Sequence, residues 1–174
     1  MMIPGRAPSS ARDITMFADE LAALFARDIA RLIQELHAFP DTASLWKIAP
    51  GVSNAAGTLA LHLEGNLREY IGRQLGRMPF ERDRPREFSA RDVSQSDLIE
   101  RLETVKASIP AVLAALTDAQ LDARYPEQVL GHPMSTRQFL VHLEAHLNYH
   151  LGQIDYLRRF VTGGGAIDLA ALAP

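Results

Sequence analysis

The chain has 174 residues, 47% of them hydrophobic, and carries 18 Lys and Arg against 21 Asp and Glu, a net charge of -3. That length supports one domain with a core of its own, and the slight negative charge with scattered cations argues against capture of nucleic acid or an anionic membrane. Cysteine is absent, which removes disulfides, thiolate ligands and a protein-borne thiol nucleophile, so any metal must be held by nitrogen and oxygen.

The opening "MMIPGRAPSSARD" lacks the apolar stretch of a signal peptide, and no segment is apolar over the length of a membrane span. A soluble, cytoplasmic protein is expected. Residues 1–12 read as a flexible N-terminus, residues 13–162 as a single helical domain, and residues 163–174 as a Gly-rich stop and tail. The tail's "AIDLAALAP" is apolar enough to dock on the body or on a partner.

Four long segments repeat apolar residues every three to four positions. The first spans about Ile14 to His37, with Asp13 as its N-cap and a stripe of Phe17, Leu21, Leu24, Phe25, Ile29, Leu32 and Ile33. A loop with the only tryptophan, Trp46, follows. Ser53 or Asn54 is then expected to cap a second helix reaching about Gly76, striped by Leu59, Leu63, Leu67, Ile71 and Leu75. Gly57, Gly65 and Gly72 interrupt it. Each interior glycine costs about 1 kcal/mol relative to alanine, so each points to close approach of another element, for Gly65 the last helix.

The charged stretch "RMPFERDRPREFSARDV" reads as a loop. Ser94 and Asp97 resemble a capping box opening a third helix, whose stripe is Leu98, Leu102, Val105, Ile109, Val112, Leu113 and Leu116, with Pro110 expected to kink it. A helical turn at "DAQLDAR" leads to a last helix capped by Ser135, running to about Val161 and stopped by Gly163–Gly165. No strand-rich region is evident. The expectation is an all-α four-helix bundle with long irregular loops.

The last helix reads "VHLEAHLNYHLGQI", with His142, His146 and His150 four residues apart. Positions four apart on a helix differ by only about 40° in bearing, so the histidines form one row beside the apolar row of Phe139, Leu143, Leu147, Leu151 and Ile154. Several buried imidazoles would repel one another once protonated, and a cation that keeps them neutral removes that problem. All three cannot share one ion, because His142 and His150 are about 12 Å apart along the axis while a metal–nitrogen bond is about 2.1 Å. The helix should supply an adjacent pair, either His142 with His146 or His146 with His150. The leading third ligand is His62, inside the apolar pattern "TLALHLEGNL"; "LHLEGNLREYIG" also aligns without gaps to "VHLEAHLNYHLG". His37 and His132 read as surface or loop histidines.

A histidine on the second helix followed by "HLNYHLGQI" on the last resembles the DinB/YfiT-like superfamily of metal-binding four-helix bundles. The strings "SNAAGTLALHLEGNLREYIG" and "RDRPREF" resemble one uncharacterised bacterial branch of it, over about Trp46 to Phe160. The resemblance implies a metal triad of His62, His146 and His150, with His142 supporting the ligands or lining the pocket. Asn66, which shares the bearing of His62 on its helix, and Gln153 and Arg84 are the further candidates for that supporting role. Leu151 stands where the common family ending has arginine, which on this reading alters the rim by one charge. The ion would be divalent, zinc or nickel first, iron or manganese also fitting imidazole.

Asn66, Glu69 and Tyr149 are the candidates for catalysis beside such an ion, while Glu64 and Glu69 also fit a solvated helix face. Arg82 or Arg84 would guard the pocket and bind an anionic group, unless the loop's charges only pair with one another. The resemblance implies a metal-dependent enzyme acting on small molecules, thiol S-transferase-like or hydrolase-like, with a low-molecular-weight thiol as substrate. The alternative is a non-catalytic metal-binding stress or interaction protein. A homodimer is expected, with no nucleic-acid or membrane partner.

Overall fold

The stripe beginning at Phe17 folds as α1 (Met16–His37) in the computed structural model, which describes residues 16–129 and 131–168. Leu21, Phe25, Ile29, Leu32, Ile33 and Leu36 are buried along it, at the three-and-four spacing of a helix with one core-facing side. The expected cap Asp13, segment 1–12 and residues 169–174 of the tail lie outside the described residues.

The loop read from Pro40 onward contains one helical turn, α2 (Thr42–Leu45), capped by Asp41 accepting from the Ser44 amide at 2.7 Å. Trp46 follows and is buried, its Nε1 donating to the Val93 carbonyl at 2.9 Å. A Cβ at residue 57 would stand 2.9 Å from the Trp46 ring, so Gly57 is what lets the indole lie against α3 (Ala56–Leu67). This helix starts later than expected. Its N-cap position is Ala55, which has no side-chain oxygen to offer, so neither Ser53 nor Asn54 caps it.

Every residue of α3 is buried, which requires cover on all sides. The helix then does not continue regularly to Gly76. It opens into a π-helical turn over Arg68–Arg73. The Tyr125 hydroxyl donates to the Tyr70 carbonyl at 2.7 Å, taking the acceptor that the Gln74 amide would use in an α-helix; that amide bonds the Glu69 carbonyl instead. A side chain inserted into the ladder is a recognised cause of such a turn.

The charged loop also folds in part, as α4 (Arg84–Ser89), capped by Asp83 with a proline in its first turn. Ser94 caps α5 (Gln95–Ala114) by accepting from the Asp97 amide at 3.0 Å, while the shorter Asp97 carboxylate makes no return bond. The α5 helix continues past Pro110 and still buries Leu113. A reciprocal Thr117–Gln120 capping box opens α6 (Asp118–Asp122). Ser135 caps α7 (Thr136–Thr162), and Gly163, at a left-handed φ of 70°, ends it.

Helix α1 packs on α5 and α7, and α3 packs on the same two, so α1 and α3 sit diagonally in a four-helix bundle. Helix α4 is an outer layer on α3. Among the described residues the fold is all-α, its one β-type pairing an isolated bridge between Arg124 and Ser135. No described helix is long and apolar enough to cross a membrane.

Candidate metal centre

Helices α3 and α7 pack together where His62 faces His146 and His150. His62 Nε2 lies 3.3 Å from His146 Nε2, and His150 Nε2 lies 3.1 Å from the same atom. Ligand nitrogens of all three fall within 4.8 Å of one another. Around an ion bound at about 2.1 Å, nitrogens stand about 3.4 Å apart in a tetrahedral set and about 3.0 Å apart at right angles. The cluster has the spacing of a coordination set, and it is compatible with a divalent metal ion.

The outer nitrogens decide which way the lone pairs point. His62 Nδ1 is 3.0 Å from the buried Glu87 carboxylate, and His150 Nδ1 is 2.7 Å from Gln153 Oε1. Each acceptor places the proton on Nδ1, an assignment made from the hydrogen-bond network, and leaves a bare Nε2 facing the cluster. A carboxylate or amide behind a ligating imidazole is how proteins orient such ligands. His146 Nδ1 is buried with no partner among the described residues.

Burial, followed by repulsion from His150, His62, His142 and Arg82, holds His146 down to about 4. Burial also lowers His150, against the opposing bond from Gln153. Both are therefore neutral near pH 7, the state that coordinates a cation. Burial disfavours ionisation of Glu87, but hydrogen bonds from His62 and Arg82 outweigh it and keep its carboxyl below the usual range. Arg82 grips that carboxylate at 2.6 and 2.9 Å.

The sequence profile of the DinB superfamily matches residues 24–154, a span containing all three histidines and α4. The chain belongs to the DinB superfamily. Among solved structures, a DinB-like protein from Bacillus cereus superposes on this DinB fold with a TM-score of 0.61 at 23% identity, covering 82% of this chain and 93% of the other. At that identity the likeness concerns the fold. No curated protein matches the chain.

Other residues singled out in the sequence take varied places in this DinB protein. Gln153 contacts His150 as described, while His142 is exposed and stacks at 6.0 Å on Phe139. Tyr149 is exposed, with its ring edge-on to His150 at 5.2 Å. Asn66 is buried, but no hydrogen bond joins it to the histidines, and its Oδ1 has no donor among the described residues. Glu64 and Glu69 are not on a solvated face: both are buried and paired with the arginines one turn on, Arg68 and Arg73. His37 and His132 are exposed.

Arg84 is exposed over the Phe88 ring at 5.1 Å and lines a charged cleft with Arg82, which takes the inner position, its Nη2 3.4 Å from His62 Nδ1. Two readings change. Leu151 is buried in the core, so its replacement of arginine changes packing and leaves the rim charge alone. Gly65 makes room for the Glu87 carboxylate of α4 and not for α7: a Cβ there would lie 2.2 Å from Glu87 Oε1. Glu87 itself escaped sequence reasoning. The usable signal was a glycine on a buried helix face one turn after a candidate ligand.

Proposed function

We propose that His62, His146 and His150 hold a divalent metal ion, zinc or nickel first with iron or manganese as further candidates, and that the protein is a metal-dependent enzyme acting on small molecules. The observation that carries this reading is the pair of bare Nε2 atoms, oriented by Glu87 and Gln153, that meet at His146. Bound there, the ion would supply Lewis-acid polarisation. Glu87 and Gln153 hold the imidazoles in register, and Arg82 keeps Glu87 ionised so that the proton stays on His62 Nδ1.

The surroundings support a substrate class. A cleft of about 440 Å³, joined to His62 through Arg82, is lined by Glu69, Tyr70, Arg73, Arg82, Arg84 and Glu127 among others. Mixed charges of this kind suit a small zwitterionic molecule. With no cysteine in the chain, a thiol used in the reaction would come from such a substrate, which favours thiol S-transfer, with hydrolysis as the neighbouring possibility. Homodimerisation belongs to the same proposal. Helix α7 presents Val141 and Tyr149 outward, both exposed, a face that a second copy would cover.

Metal analysis of tag-free protein tests the reading. Wild type should retain about one equivalent of zinc or nickel after dialysis, and His62→Ala, His146→Ala and His150→Ala should each lose most of it. Unchanged metal content in all three variants would sink the triad. Loaded protein that binds metal normally yet turns over no low-molecular-weight thiol with any electrophile or ester would favour the non-catalytic alternative.

A further inference from the structure

Gln153 faces two ways. Its Oε1 accepts from His150 Nδ1 at 2.7 Å, and the same residue lines a cleft of about 490 Å³ walled by Pro50, Val52, Leu59, Tyr156, Leu157 and Phe160. That volume lies within the range of small-molecule sites, roughly 300–1,000 Å³. No charged residue lines it, in contrast to the charged cleft that Arg82 lines. Tyr156 and Phe160 are 71% and 69% exposed, a large aromatic area for water to cover in the free protein. Ser53 and Asn54 supply hydrogen-bonding groups along the loop wall.

We infer that this cleft binds the uncharged, apolar part of the substrate, an aryl or branched-alkyl group, with the reacting atom reaching the three histidines past Gln153. The inference rests on the metal-dependent reading above and adds to it the second half of the site. The histidine cluster is flanked through Arg82 by a charged cleft and through Gln153 by a neutral one. Gln153 belongs to both the ligand network and the neutral cleft, so an occupant of the cleft touches the residue that orients His150. The arrangement suits a reaction between a polar, charged partner and an apolar, neutral one.

Two probes test this. N-phenyl-1-naphthylamine, a neutral fluorophore, reports the cleft without any metal. Imidazole and 4-phenylimidazole, titrated into cobalt-loaded protein and followed by its visible spectrum, report whether an aryl group gains affinity when its other end sits at the ion. Wild type should bind the fluorophore saturably, and Val52→Glu or Phe160→Glu, both at exposed positions, should weaken it about tenfold or more. On the cobalt form, 4-phenylimidazole should bind at least about tenfold tighter than imidazole, lose that advantage in both variants, and displace the fluorophore.

Fluorophore binding that is absent, or indifferent to both variants, overturns the inference. A normal cobalt response to imidazole with no aryl advantage overturns it too and leaves the metal reading intact. If cobalt does not bind at all, the metal reading fails first and the inference falls with it. A dimer that Phe160→Glu dissociates, and that excludes the fluorophore, overturns the inference by assigning the face to a second copy of the chain.

Discussion

The Glu87 carboxylate fills the space that a side chain at Gly65 would occupy, and from there it faces His62 Nδ1 at 3.0 Å. A glycine on α3 thus sets the orientation of a histidine one turn away. Glu87→Gln should keep the fold but weaken the hold on the Nδ1 proton, and Gly65→Ala should push the carboxylate off the ring. Both are expected to raise the zinc dissociation constant about 10–100-fold with little change in helical content. Competition with a chromophoric chelator, alongside circular dichroism, checks this. Wild-type affinity in both variants would remove Glu87 from the site.

The elements that positioned the site were legible where local chemistry decides them. Ser94 and Ser135 cap their helices because a hydroxyl before an amphipathic run satisfies an amide wherever the rest of the chain lies. His62 and the pair on α7 were singled out by pattern and family motif. Gln153 was singled out with them and does support His150, but Glu87 was not, because it meets His62 only through the packing of α4 on α3. The π-helical turn was equally hidden, since its cause is a tyrosine brought in from the segment between α6 and α7. Asn66 shows the converse: a shared bearing on a helix did not become a contact.

Metal-free protein should lose stability in mild acid. His146 sits at about 4 in the fold and near 6.5 in the unfolded chain. The folded state therefore favours the neutral ring, a contribution complete above about 6.5 and lost as pH falls toward 4. His150 is lowered as well and acts in the same direction. Thermal melts of the apo protein from pH 8 to 4 should show a falling Tm across that window. His146→Gln should flatten part of the slope, and added zinc should hold the wild-type Tm up until protons displace it. An apo Tm that stays level from pH 6.5 to 4 would count against neutral buried imidazoles.

A second titration lies between α1 and α7. Asp28 is fully buried and held ionised, burial being outweighed by bonds from Arg27, Glu144 and Asn148. Glu144 is pushed up to about 8, first by burial and then by Asp28. Its Oε2 is buried without a donor among the described residues, which a proton directed to Asp28 remedies. A carboxyl raised by folding contributes stability that is present below about 4.5 and lost as pH rises through about 8. Glu144→Gln keeps a donor for Asp28 and cannot ionise. Its Tm relative to wild type should be nearly unchanged at pH 4.5 and increasingly higher toward pH 8. A difference independent of pH would mean that Glu144 is ionised in the fold.

Glu35 and Arg158 form a second link between α1 and α7, with side chains 0% and 3% exposed. Burial raises the Glu35 carboxyl despite its partner, and Arg158 also donates from Nη1 and Nη2 to the Gly165 carbonyl, each at 3.1 Å. Glu35 repays its desolvation through Arg158, which also pairs with the part-buried Asp155 at 3.1 Å. Arg158→Met should therefore cost about 3–5 kcal/mol by stranding Glu35, whereas Arg158→Met combined with Glu35→Leu should recover most of that loss. Urea unfolding of the two variants and wild type measures both figures. The Gly165 tether is lost in each, so amide exchange over residues 163–168 should speed up in both, including the variant whose global stability returns. Equal destabilisation of the single and double variants would show that the pair contributes through packing and not by satisfying a buried charge.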